Sequence, residues 1–242
     1  MPKPTLDRWL LENGHAETRE KAQALIMAGE VYINGQRANK SGHGVPNGAK
    51  IEVRQKAPYV SRGGQKLEAA LNHFKINPTN QICADIGTST GGFTDCLLQH
   101  GATRVHAIDT GAGQIDWRLR SDPRVILHEN FNARYLEPTT LGEPIDLAVC
   151  DVSFISATLI IPAIASVLKP ETGSMVILIK PQFEVERHQV GEGGIVRDPA
   201  LHAASIARVR TCVEESNFTA EIMESPITGA EGNKEFLLYG RR

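Results

Sequence analysis

From residue 81 onward the chain alternates short, continuous apolar runs with segments of helical character, and no other feature constrains its fold as tightly. QICADI, RVHAID, RVILH, IDLAVCD and SMVILIK are apolar throughout, as strands covered on both faces must be. GFTDCLLQH, SATLIIPAIASVL and a long stretch beginning near Pro199 read as helices between them. Strands and helices in this order predict an α/β fold with a doubly wound parallel sheet. The ending is different. TAEIMESPI, the polar turn TGAEGN and KEFLLYG predict a terminal hairpin, which adds an antiparallel strand.

The first 57 residues follow another pattern. TLDRWLLENG places Leu6, Trp9 and Leu10 on one helical face and stops at Gly14. Thr18 is the expected N-cap of REKAQALIMAG, with Ala22, Leu25 and Ile26 as the apolar face and Gly29 as the stop. VYINGQRA reads as a strand entering an Asn34-Gly35 turn, and AKIEVRQ as another strand. Arg8, Arg19, Lys21, Arg37, Lys40, Lys50 and Arg54 decorate this small α+β unit. The net charge of -2 therefore hides a basic first third on an acidic body, which suggests an anionic partner at one end. No aromatic platform accompanies the basic residues, so phosphate and shape contacts with structured RNA fit better than the reading of single-stranded bases. Pro58 and the glycines of YVSRGG mark a boundary, giving expected domains of 1–57 and 58–242.

Other function classes are disfavoured. The amino terminus lacks an apolar core of signal-peptide length, and the stretch from Ile155 to Leu168 is too short to span a bilayer. Cys83, Cys96, Cys150 and Cys212 form no C-x-x-C pair, and the eight histidines form no i, i+4 pair. Reduced thiols, no metal and a cytoplasmic location are expected.

In a doubly wound sheet the ligand lies beyond the carboxyl ends of the first strands. The segment ADIGTSTGGFTD sits there: Asp85 and Gly87 end the first strand, and Gly87, Gly91 and Gly92 let backbone approach a ligand. The spacing is not G-x-G-x-x-G, so a pyrophosphate is not specifically implied. Asp109 ends the next strand, 24 positions after Asp85, where a carboxylate can accept both hydroxyls of a ribose. These features favour S-adenosylmethionine over a dinucleotide. Asp151 and Lys180 end the strands of IDLAVCD and SMVILIK, forming a proton-handling pair facing the same crevice.

Two resemblances follow from these residues. LDRWL and TREKAQALIMAGEVYING resemble the alpha-L RNA-binding domain, named after the fourth small-subunit ribosomal protein, although Thr5 stands where that family has arginine. Over the whole chain, YVSRGGQKL, DIGTSTGGFTDCLLQHGA, DTGAGQ, CDVSFIS, KPQFE, GGIVRD and SPITGAEGNKEF resemble, in order, the TlyA/hemolysin A family. That family joins an RNA-binding domain to an FtsJ-like ribose methyltransferase of class I fold. The resemblance implies 2′-O-methylation of ribosomal RNA, with cytidine as target, by a Lys-Asp-Lys-Glu tetrad. Its positions fall on Lys66, Asp151, Lys180 and Glu235, with Lys180 central, Asp151 and Glu235 holding it and the ribose, and Lys66 supplying positive charge. A cytolytic protein and a non-catalytic ribosome-assembly factor are the alternatives.

Overall fold

The computed structural model describes residues 3–53, 57–229 and 231–242; Arg54 and Ala230 of the polar turn lie outside them. Two compact units divide the chain, Met1–Ala57 and Pro58–Arg242.

In the first unit, helices α1 (Leu6–Glu12) and α2 (Arg19–Ala28) precede a small antiparallel sheet of β1 (Val31–Ile33), β2 (Gln36–Arg37) and β3 (Ile51–Val53), ordered β2-β1-β3. The Thr18 hydroxyl accepts the Lys21 N–H at 3.2 Å, satisfying one free donor at the start of α2. Gly29 ends that helix with a φ of 73°. Asn34 and Gly35, at φ of 49° and 80°, make the two-residue turn whose twist suits a hairpin. Leu6, Leu10, Ala22, Ile26 and Val31 are buried between these elements, whereas Trp9 and Leu25 are only partly covered.

The second unit opens with α3 (Gly63–Phe74), a helix the alternation pattern does not announce. Leu67, Ala70, Leu71 and Phe74 have helical spacing, but the Gly63-Gly64 pair at its start imitates a linker. Then follow β4 (Ile82–Ile86), α4 (Gly92–Gln99), β5 (Arg104–Ile108), α5 (Trp117–Arg120), β6 (Val125–His128), α6 (Pro138–Leu141) and β7 (Leu147–Cys150). The chain continues through α7 (Ile161–Val167), β8 (Ser174–Ile179), α8 (Pro181–Glu184), α9 (Pro199–Glu215), β9 (Thr219–Glu224) and β10 (Phe236–Arg241). The seven strands are ordered β6-β5-β4-β7-β8-β10-β9, with β4 to β8 parallel and β10 antiparallel to both neighbours.

The hairpin thus inserts its second strand into the sheet and leaves its first at the edge. Composition explains the choice. Phe236, Leu237 and Leu238 are buried, while TAEIME carries charges at the solvent-facing rim that discourage further pairing. Side chains alternate between two cores, Ile177 and Ile179 on one face of the sheet and Val176 and Leu178 on the other. Among the described residues no helix is long and apolar enough to cross a membrane.

Candidate active site

The carboxyl ends of β4, β5, β7 and β8 lie side by side, because these strands are parallel neighbours. Gly87, just past β4, has a φ of 83°, and a Cβ there would stand 2.5 Å from the Asp151 carbonyl oxygen. Only glycine lets the β4 loop close onto the end of β7. A side chain at Gly91 would meet Leu119, and one at Gly92 would meet Ser61. These last two glycines make room for protein atoms, a requirement that sequence cannot distinguish from room for a ligand.

Asp85 is fully buried beneath this loop. One carboxylate oxygen accepts the Thr94 N–H at 2.9 Å and the Thr94 hydroxyl at 2.7 Å. The other has no partner among the described residues. Burial pushes this carboxyl up to about 7; the Thr94 hydrogen bonds oppose the shift and the Asp151 charge adds to it. A cation bound above the loop would favour its ionised form.

Asp109 follows β5 and is half-buried. Its two oxygens accept the Gly111 N–H at 2.7 Å and the Ser89 N–H at 2.8 Å, which fix the carboxylate while leaving each oxygen a second lone pair. Beside it opens a slot of about 450 Å³ walled by Ile108, Phe131, Ile155 and Ile160. A slot with aliphatic walls and the Asp109 and Asp151 carboxylates among its lining has the chemistry to take a nucleoside-sized group.

A second cavity of about 470 Å³ shares Gly87, Ser89, Asp151 and Ser153 with this slot, and brings in Lys66, Lys180 and Glu235. All four tetrad positions therefore line one cavity, as two pairs. The Lys180 ammonium lies 2.6 Å from an Asp151 carboxylate oxygen and donates to the Ser153 hydroxyl at 2.7 Å. The Lys66 ammonium donates to Glu235 at 2.5 Å, with side-chain exposures of 10% and 3%. The family resemblance implies that Glu235 holds Lys180. Here the register that pairs Phe236 with Ile179 sets Glu235 across from Lys180, but Lys66 reaches in from α3 and takes the carboxylate.

Several supporting residues carry no signal of their role in the sequence, although they lie within its motifs. The Val60 N–H donates to Asp95 at 2.8 Å and the Tyr59 ring sits where a Cβ on Gly64 would be, which seats the start of α3 and hence Lys66. The buried Glu184 accepts the Ser156 hydroxyl at 2.5 Å and the Ala157 N–H at 2.8 Å, tying the loop after β7 to α8. Asn233 clamps GGIVRD to the turn before β10, accepting from Val196 N–H and donating to the Gly194 carbonyl, each at 2.9 Å. Such side chains act by hydrogen bonding at a distance in sequence, which no local pattern encodes. Among the described residues no group of three His, Cys, Asp or Glu side chains is arranged to hold a metal ion.

The basic positions of the first unit are mostly engaged locally. Arg8 pairs with Glu12 at 2.7 Å, Lys21 pairs with Glu17, and Arg37 donates to the Ala28 carbonyl at the end of α2 at 3.0 Å. Arg19 donates to the buried Asp7 at 2.8 Å. Burial alone would raise the Asp7 carboxyl, but bonds from Thr5, Gln23, Arg19 and the Arg8 N–H outweigh it and hold the group well below the usual carboxylate range. Lys40 is exposed and without a side-chain partner among the described residues. Arg8, Arg19 and Lys21 keep more than half of their side-chain surface in water; the Arg8 and Lys21 pairs with exposed glutamates are readily exchanged for phosphate, whereas Arg19 stays on buried Asp7 through Nε.

Comparison with known proteins agrees with both units. Residues 59–242 match the profile of FtsJ-like methyltransferase, and residues 5–51 match the S4 domain. The chain is 45% identical to the protein named Hemolysin A of Brachyspira hyodysenteriae, across 97% of this chain and 98% of that one. It is 41% identical to the 16S/23S rRNA (cytidine-2′-O)-methyltransferase TlyA of Mycobacterium tuberculosis, across 98% and 89%. A solved structure from Streptococcus thermophilus, carrying a provisional hemolysin name, superposes with a TM-score of 0.75 at 42% identity, covering 100% of this chain and 89% of that one.

Proposed function

The chain belongs to the FtsJ-like methyltransferase family, and from that premise we propose that it transfers a methyl group from S-adenosylmethionine to the ribose 2′-oxygen of a cytidine in ribosomal RNA. One observation carries the proposal: Lys180, held by Asp151 at 2.6 Å, and the Lys66–Glu235 pair line a single cavity that shares Gly87, Ser89, Asp151 and Ser153 with a slot bearing Asp109. S-adenosylmethionine, when bound, supplies an electrophilic methyl on a sulfonium. The protein has to orient a weakly nucleophilic hydroxyl and accept its proton. Lys180 does this, and Asp151 holds the amine in place. Lys66, restrained by Glu235, contributes positive charge beside the oxygen as it loses its proton. Phe154, 92% exposed at the mouth of this site, offers a flat face on which a base of the substrate can rest. With ribosomal RNA as substrate, the activity belongs in the cytoplasm. The deciding experiment is methyl transfer to purified ribosomal subunits, with the ribose methyl mapped to its nucleotide. Lysis of red cells without methyl transfer would favour a cytolytic protein, and RNA binding without transfer an assembly factor.

The cofactor assignment rests on Asp109 and its slot. S-adenosylmethionine should raise the thermal midpoint of the protein, and Asp109→Ala should remove most of that rise while the unliganded midpoint changes little. Stabilisation by NAD and none by S-adenosylmethionine would sink it.

The first unit is proposed to grip the phosphates of structured RNA through Arg8, Arg19, Lys21, Arg37 and Lys40. Arg8→Gln, Lys21→Gln and Lys40→Gln together should weaken binding and make it less steeply dependent on salt, because a phosphate that no side chain neutralises keeps its condensed counterion. Arg19 is left in place because it neutralises buried Asp7. An unchanged salt slope would move the RNA site to the larger unit.

A further inference from the structure

A lysine amine that is to take a proton has two N–H bonds and one lone pair, and it turns freely about Cε–Nζ unless both hydrogens are engaged. Asp151 stands 2.6 Å from the Lys180 nitrogen as an ion-pair partner, whereas the Ser153 hydroxyl accepts a directed N–H hydrogen bond from it at 2.7 Å. The Phe183 ring lies 6.0 Å from the ammonium on another side, and Ser153, Asp151 and Lys180 all line the cavity that holds the tetrad positions. Resting on the methyl-transfer reading above, we propose that Ser153 is a positioning residue that fixes the Lys180 lone pair on the substrate hydroxyl. With Asp151 alone the amine would be tethered but free to rotate, and the lone pair would sample directions away from the hydroxyl. In the step it serves, the O–H bond breaks, a new N–H bond forms on Lys180, and the electron pair stays on the oxygen that attacks the methyl. The proton later leaves Lys180 for water.

The loop that carries Ser153 is held from several sides. The Asp151 carbonyl rests against Gly87, where no side chain could fit, and Glu184 pins Ser156 and Ala157. Between these anchors Phe154 is forced to a φ of 65°, a left-handed conformation that a bulky residue adopts only under constraint. The turn this creates brings the Ser153 hydroxyl to Lys180 across 27 positions of sequence. Ser153 also lines the slot beside Asp109 and a third cavity, shared with Phe154, Gln182 and Phe183, so it stands where cofactor and nucleotide sides meet.

The test compares Ser153→Ala and Ser153→Thr with the wild-type chain in single-turnover methyl transfer to ribosomal subunits, alongside equilibrium binding of subunits and of S-adenosylmethionine. With subunits and S-adenosylmethionine saturating, alanine should slow the chemical step about 10- to 100-fold, the scale of a small misplacement of a reacting group. Threonine keeps the hydroxyl at an exposed position and should stay within about threefold of wild type. A wild-type rate for alanine, a raised KM with kcat intact, or a threonine variant as slow as alanine would each overturn the positioning role while leaving the methyltransferase reading standing. A wild-type chain that methylates no subunit would overturn that reading and the positioning role with it.

Discussion

Lys180→Ala is expected to lower the single-turnover rate of methyl transfer by ~10²–10⁴-fold, the usual loss when a positioned proton acceptor is removed. The fold should survive, because Lys180 sits at the end of β8 beside the cavity and its partners Asp151 and Ser153 also reach solvent. Affinity for S-adenosylmethionine should largely persist, since the slot beside Asp109 is walled by Ile108, Phe131, Ile155 and Ile160, and Lys180 is not among the residues that line it. Lys180→Arg should fail nearly as badly. A guanidinium keeps its proton at any physiological pH, and its planar fork does not present a lone pair where the amine does. Quenched reactions with saturating subunits and cofactor separate chemistry from binding, and circular dichroism checks the fold. If Lys180→Ala retained near-normal single-turnover chemistry, the centre of the tetrad assignment would be wrong, and Lys180 would be only a charge at a strand end.

Breaking the Lys66–Glu235 pair should have the largest effect on stability. With side-chain exposures of 10% and 3%, each group is compensated mainly by the other and only marginally by solvent in the cavity beside them. Glu235→Ala should therefore destabilise the chain by about 3–5 kcal/mol, the cost of leaving one partner of a buried ion pair uncompensated. The Lys66→Met, Glu235→Leu double variant should recover most of that loss, because apolar side chains of similar volume remove both desolvation penalties at once. Methyl transfer should stay absent in the double variant. Urea titrations followed by circular dichroism give the stabilities, and the subunit assay gives the activity. Two results would count against this account: Glu235→Ala with an unchanged unfolding midpoint, or a double variant as active as wild type. The second would make the pair a structural strut with no part in the chemistry.

Particular elements show how much was legible beforehand. The five parallel strands were readable because burial on both faces forces each to be apolar along its length, a condition written locally. Helix α3 was hidden because its amphipathic face begins behind two glycines that serve packing: Gly64 clears space for the Tyr59 ring. Asp109, Asp151 and Lys180 could be placed at one edge of the sheet from sequence, since a residue that ends a parallel strand reaches the same edge as its neighbours do. Which cation pairs with which carboxylate was not readable. Lys66 and Glu235 are 169 positions apart, and their meeting depends on how α3 packs and on the antiparallel register of β10 with β8.

What depends on neighbours along the chain is written in the residues: the strand and helix periods, the caps and turns of the first unit, and the residue types gathered at the strand ends. Tertiary structure alone decided what depends on distance through space. It chose to bury β10 inside the sheet with β9 at the rim, gave Glu235 to Lys66, and set the Ser153 hydroxyl against Lys180. The division has a physical cause. Backbone preference and burial pattern act over a few residues, whereas a hydrogen bond or ion pair selects its partner only after packing has brought distant segments within about 3 Å.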